Sequence, residues 1–182
     1  SVEAVTVDTE VPDHKDVQIT VEEQDTARFT IGGGFSDTDS LVGMLELAET
    51  NFDLFAPGQW FRGGGQRFSV RAMYGLKRSD FSVNFTEPWL FDEPLRLDLT
   101  GFHRDREFDD WSEMRTGGEI ILTRYRLLDD FNSISLGQYL AAVRIYDMDD
   151  KLKYGEENRK YFRRDVGTDF VNTTTLTLSR DT

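Results

Sequence analysis

With 182 residues, a formal charge of −13 and no cysteine, the chain is sized for one domain or parts of two. It carries no disulfide framework, thiol nucleophile or cysteine-based zinc site. The acidity argues against a phosphate-binding surface, so nucleic acid is not an expected partner. No stretch of about 18 apolar residues occurs, which excludes a transmembrane helix. A membrane barrel stays open, because its strands need only about 9–11 residues with every second one apolar.

Ser1–Gln24 holds two short strand patterns, Val2–Val7 and Val17–Glu22, around a turn at Pro12-Asp13-His14-Lys15. Two strands bury little alone, so this segment reads as the tail of a preceding domain. The chain begins with Ser and stops inside a strand pattern at Ser179–Thr182. An excised piece is the expectation, and the lack of a signal segment then carries no information on localisation.

From Ala27 the spacing becomes regular. Arg28–Phe35 (RFTIGGGF) sets Phe29, Ile31, Gly33 and Phe35 against Thr30, Gly32 and Gly34, and Leu41–Glu49 aligns Leu41, Leu45 and Leu47. A longer connection, Asn51–Gly65, carries Pro57-Gly58 and Gly63-Gly64-Gly65. Three clean alternating segments follow. Phe68, Val70, Ala72 and Tyr74 oppose Arg67, Ser69 and Arg71; Phe81, Val83 and Phe85 oppose Ser82, Asn84 and Thr86; Leu95, Leu97 and Leu99 oppose Arg96, Asp98 and Thr100. Successive strand side chains point to opposite sides, so each segment has one apolar and one polar face.

Arg104–Trp111 reads as an acidic loop and Met114–Tyr125 as a strand with Gly118, Ile120 and Leu122 aligned. Ser133–Tyr146 is long and alternates imperfectly, which points to a bulge. A charged loop over Tyr146–Asp169, with a short helix near Glu156–Arg164, precedes a last strand at Val171–Leu178. About eight strands joined by nearest-neighbour hairpins predict an antiparallel up-and-down sheet. A soluble sandwich or lipocalin-like binding module fits that pattern, and so does a membrane wall. The connections tip the balance. Those after the first, third, fifth and seventh strands are hydrophilic, whereas those after the second, fourth and sixth carry Phe52, Leu54, Phe55, Trp89, Leu90, Phe91 and Phe131. Loops sorted in this way are expected when each set lies on its own side of a membrane. Rings at strand ends, such as Trp60, Phe61, Phe102, Phe108 and Trp111, fit interfacial girdles.

VEEQDTARFTIGGGFSDTDSLVG, ETNF, GQRFSV and FSVNFTEPWLFDEPL together resemble the barrel start of the Omp85 superfamily, closest to its branch of outer-membrane protein assembly factors. Thr86-Glu87-Pro88-Trp89-Leu90-Phe91-Asp92-Glu93-Pro94 is the most specific motif and would form a periplasmic turn. The resemblance implies that residues 1–26 end a periplasmic POTRA domain and that 27–182 form the first half of a transmembrane β-barrel, about eight strands of 16. It also implies an outer-membrane location and unfolded outer-membrane proteins as clients. Membrane lipids and periplasmic accessory lipoproteins would be partners, with no enzymatic chemistry, cofactor or metal. In this family the first strand pairs with the last, and that seam opens to template client strands. Arg28, Phe29, Thr30, Ile31, Gly32, Gly33, Gly34 and Phe35 would form the pairing element. Phe68, Val70, Tyr74, Phe81, Val83, Phe85, Leu95, Leu97 and Leu99 would face lipid. A sister transporter that secretes polypeptide or moves lipid is the alternative within the superfamily. The superfamily's most diagnostic element, an Arg-Gly-Phe motif in a late loop that enters the lumen, would fall past Thr182, so both members stay open on the sequence. The family's short NFLGxGQ turn is replaced here by an insertion, FDLFAPGQWFRGGG.

Other constellations carry less. Gly32–Gly34 lack the Lys-Ser/Thr of a phosphate loop and lead into no helix. The acidic stretches Asp105–Asp110 and Asp147–Asp150 read as solvated loop tips. An EF-hand starting at Asp147 would need Gly and Glu where Leu152 and Asn158 stand. His14 and His103 are isolated and have no nucleophile elbow to serve.

Overall fold

Period-2 alternation converts into ladders along almost the whole chain. The computed structural model describes residues 2–8, 15–21, 25–36, 40–127, 129–148 and 167–181. β1 (Val2–Asp8) and β2 (Lys15–Val21) form a separate antiparallel ribbon, pairing Val2 with Val21 and Asp8 with Lys15. The other eight strands form one sheet: β3 (Ala27–Ser36), β4 (Ser40–Phe52), β5 (Gln66–Gly75), β6 (Arg78–Glu87), β7 (Leu95–Glu107), β8 (Ser112–Tyr125), β9 (Asn132–Tyr146) and β10 (Gly167–Arg180). Their spatial order is their sequence order, and each pair is antiparallel. The two-layer sandwich is thereby excluded for the described residues, since no second sheet packs across this one.

Register aligns the alternation of neighbours into two continuous faces. Phe29, Leu47, Val70 and Val83 follow one another across β3–β6, and Phe85, Leu99, Ile120 and Gln138 across β6–β9. Directly opposed residues share a face, so this is the apolar one. The opposite face carries ion pairs, including Arg71–Glu46 at 2.6 Å and Arg96–Asp98 at 2.6 Å.

The core is nearly absent. Phe102, Ala141 and Met148 are the buried apolar residues among those described, and no large side chain is fully enclosed. Ring and aliphatic side chains on the apolar face stay open, among them Phe29, Ile31, Leu45, Phe81, Ile120, Leu136, Phe170 and Leu176. A soluble sheet of this size would cover such a face, because monomeric proteins rarely expose contiguous patches above a few hundred Å².

Two local expectations are corrected. The β9 ladders run without a break from Asn132 to Tyr146, and the register shift lies instead between Glu49 and Phe52 of β4. The imperfect alternation of β9 has another cause: Gln138 stands on the apolar face. There it donates to Asn172 Oδ1 and accepts from Thr174 Oγ1 at 2.7 Å, so polar groups of adjacent strands satisfy one another. Finally, the acidic loop shrinks to residues 108–111. Arg104–Glu107 pair with Ser112–Arg115 as the end of β7. The helix expected near Glu156–Arg164 and His14 lie outside the described residues.

Candidate functional site at the leading edge of the sheet

β3 forms one edge of the sheet and β10 the other. On one side β3 pairs with β4 from Ala27↔Glu49 to Ser36↔Ser40, and on the other its backbone donors and acceptors meet no strand among the described residues. The proposed pairing residues Arg28–Phe35 therefore all fall on an edge, which hairpin order alone could not establish. Their side chains hold the strand loosely. Gly33 faces Gly43 across the hairpin. A Cβ added at Gly34 meets nothing within 4 Å, and at Gly33 only ordinary contact with the Val42 carbonyl at 3.6 Å. Neighbours within this sheet do not require those glycines. By contrast, a Cβ at Gly117 would lie 2.2 Å from the Leu140 carbonyl oxygen, so that glycine serves close strand packing. At its start β3 is tied by Arg28 to Glu46 at 3.9 Å, the carboxylate that also accepts from Arg71.

The Thr86–Pro94 motif is a rigid brace at the other end of the strands. Thr86 Oγ1 donates to Asp98 at 2.7 Å, joining β6 to β7. Glu87 accepts from the buried Gln66 amide at 2.7 Å and from the Trp89 backbone N–H at 3.1 Å. One turn of 3-10 helix, Leu90–Asp92, follows, with Phe91 and Asp92 in the left-handed region at φ 61° and 59°. Glu93 pairs with Arg124 at 3.1 Å, and the Pro94 carbonyl accepts from Tyr125. Pro88 and Pro94 bracket this turn, and Trp89 and Phe91 remain exposed.

The residues expected to face lipid share the apolar face. Phe68 opposes Phe85, Val70 opposes Val83, and Phe85 opposes Leu99. Leu97 and Leu95 continue it opposite Leu122 and Arg124, and Tyr74 is open near the hairpin tip.

The polar face holds a cluster that sequence reading missed. Arg71, Arg78, Arg104, Arg106 and Arg115 line a groove of about 490 Å³ with Asp80 and Glu113. Arg104 lies over the Phe102 ring at 4.6 Å and Arg106 over Phe108 at 5.9 Å. Assigning Arg104 and Arg106 to a loop hid them; their parity within β7 was the missing signal.

At the hydrophilic tips, Lys77 Nζ donates to Asp109 Oδ1 at 2.9 Å and joins the β5–β6 turn to the β7–β8 turn. That hydrogen bond raises the Lys77 pKa and lowers that of Asp109. His103 Nδ1 lies 2.7 Å from Thr116 Oγ1, across the β7–β8 ladder. No cluster of three metal-ligating side chains occurs among the described residues.

An antiparallel meander with one continuous apolar face, one ion-paired face, almost no core and open edges is part of the wall of a transmembrane β-barrel of the outer-membrane type. The Omp85 superfamily domain matches residues 61–182, and the chain belongs to that superfamily. It is 28% identical over 145 residues to the outer membrane protein assembly factor BamA of Nitratidesulfovibrio vulgaris, covering 79% of this chain and 17% of that protein. The fold is that of the crystal structure of BamA from Haemophilus ducreyi lacking POTRA domains 1–3, with a TM-score of 0.59 at 16% identity. That likeness covers 98% of this chain and 34% of the other. The present chain thus spans a minor part of the length of each.

Proposed function

We propose that the chain supplies the leading wall of a factor that inserts and folds outer-membrane proteins, with β3 as the edge on which client strands pair. Residues 1–26 end a periplasmic POTRA domain in this reading, and 27–182 begin the barrel. The observation that carries it is the coincidence, in one strand, of an edge that meets no strand among the described residues and glycines at which an added Cβ would meet ordinary contact or nothing. An open edge templates another strand through backbone hydrogen bonds, and a strand with few side chains holds its partner weakly enough to release it.

Client folding itself drives the process, so no nucleotide, metal or catalytic group is needed. Phe68, Val70, Tyr74, Phe81, Val83, Phe85, Leu95, Leu97 and Leu99 face lipid, and Arg67, Arg71, Arg96, Arg104 and Arg106 face the lumen, while Arg124 on the apolar side is at the strand end, paired with Glu93. A lipid-facing Arg or Lys near the midplane would cost roughly 2–4 kcal/mol, which accounts for the sorting of Arg67, Arg71 and Arg96 away from those residues. The ring-bearing turns lie on the periplasmic side, where accessory lipoproteins would dock.

The test is a cysteine pair linking β3 to the last strand of the full-length barrel. Client assembly should stop on oxidation and resume on reduction. Assembly that ignores the tether removes Arg28–Phe35 from the role.

A further inference from the structure

The insertion between β4 and β5 is a built element. Asp53 N–H donates to the Phe61 carbonyl at 2.7 Å, Gly63 N–H to Asn51 O at 2.9 Å, and Leu54 N–H to the buried Gln66 side chain at 2.8 Å. Asn51 Oδ1 accepts from Gly65 N–H at 2.9 Å, and Arg62 pairs with Glu49 at 3.3 Å. These bonds fold the loop back onto the apolar face. Phe61 stacks on Phe52 at 5.7 Å, and Phe52 stacks on Phe68 at 5.0 Å and meets Phe85 edge-on at 6.4 Å.

Two further rings are held away from that stack. Trp60 is 88% exposed and Phe55 84% exposed. Trp60 and Phe61 both adopt φ of 57°, a conformation that bulky side chains rarely take. Beside the loop lies a groove of about 620 Å³ lined by Ala27, Leu47, Phe52, Trp60, Phe61 and Phe68, with Gln59 and the Arg62–Glu49 pair as its polar members. Ala27 is the first residue of β3.

We propose that the 53–65 loop is a lipid-binding collar: Trp60 and Phe55 insert into the headgroup–acyl boundary of the adjacent leaflet, and the groove seats a phospholipid chain against the start of β3. Three observations fix a bilayer lipid as the occupant. The groove is open to the apolar face and continuous with it. Its lining is mostly apolar and its one charged pair, Arg62–Glu49, is internally neutralised, so it suits an uncharged acyl chain. Trp60 and Phe55 share one end of the sheet with Trp89, Phe91 and Phe131, and aromatic rings at that level favour the membrane interface. The inference rests on the membrane reading above, since it takes the apolar face to meet lipid.

The chain has no cysteine, so spin labels are placed one at a time in the full-length protein, with any cysteine elsewhere replaced by serine, refolded into phosphatidylethanolamine/phosphatidylglycerol vesicles. Labels at Trp60→Cys and, as a second variant, Phe55→Cys are compared with Leu99→Cys on the wall and Asp109→Cys at the opposite tips. Relaxation by oxygen and by a water-soluble nickel chelate reads depth. The collar labels should favour oxygen as the wall label does, at a depth of roughly 5–10 Å below the headgroups, while the label at 109 favours nickel. Collar labels that favour nickel beside an oxygen-favouring wall label overturn the collar alone. Labels shielded from both reagents overturn the lipid occupant in favour of a protein. A wall label that favours nickel overturns the membrane reading itself.

Discussion

Replacing Leu99 by arginine tests the assignment of the two faces. Leu99 sits in register between Phe85 and Ile120 and is still 37% exposed. It lies four residues along β7 from Leu95 (99 − 95). At about 3.4 Å per residue and a tilt near 45°, that is about 10 Å along the membrane normal, well inside a belt about 25 Å tall. Arginine there should cost roughly 2–4 kcal/mol, a loss of about 30- to 900-fold in the folding equilibrium. Thr100→Arg is the comparison, one residue on and on the opposite face. Thr100 donates to Asn84 Oδ1 at 3.1 Å, so that change should cost about 0.5–1.5 kcal/mol for the lost hydrogen bond. Both variants are read in the full-length protein by urea titration in vesicles, with the heat-dependent gel shift marking the folded barrel. Equal losses, or a larger loss for Thr100→Arg, would refute the assignment.

Other substitutions probe the remaining contacts. Gly117→Ala drives a Cβ to 2.2 Å from the Leu140 oxygen and should cost about 1–3 kcal/mol by overpacking. Gly34→Ala, with open space around it, should leave the urea midpoint unchanged or slightly higher; a matching loss would contradict the geometry. Glu87→Ala strands the Gln66 amide, whose residue is 5% exposed, and should cost about 1–3 kcal/mol. Glu87→Gln should recover most of it in the same titration. The Lys77–Asp109 pair has a defined pH window. Lowering the Asp109 pKa gives a contribution present above the ordinary carboxylate value and lost as pH falls through the lowered one. Raising that of Lys77 gives one lost only as pH rises past the ordinary amine range. The Asp109 carboxyl carbon shift should therefore titrate below the usual range, and a midpoint at or above it would contradict the pairing.

The strands and their faces were legible because period-2 alternation is a direct consequence of backbone pleating. Phe68–Tyr74 against Phe81–Phe85 could be read on sight. Strand ends were less legible. Arg78-Ser79-Asp80 extends β6 opposite Arg104–Arg106, where both faces are polar and alternation gives no signal. The same polarity concealed the arginine groove. In β9 the outward-turned Gln138 imitated a register change, although its partners Asn172 and Thr174 lie 34 and 36 residues away. The glycine run of β3 was visible, but its position on an edge follows from the order of all eight strands. Nothing local announced the folded insertion either, since its left-handed Phe61 is held by Asp53 and its Gly63 by Asn51, both across the loop.

The alternation of β3 also sets a rule for whatever strand joins it. Phe29, Ile31 and Phe35 commit one parity of the ladder to the apolar face, so an incoming strand that slips by one residue turns its own polar side outward. A slip by two preserves the match. Because Gly32–Gly34 present no side chains to favour one such step over the next, neighbouring even registers on this edge lie close in energy. The edge then discriminates by odd or even rather than by sequence, and a strand paired to it can advance in two-residue increments of about 6.8 Å without leaving the ladder.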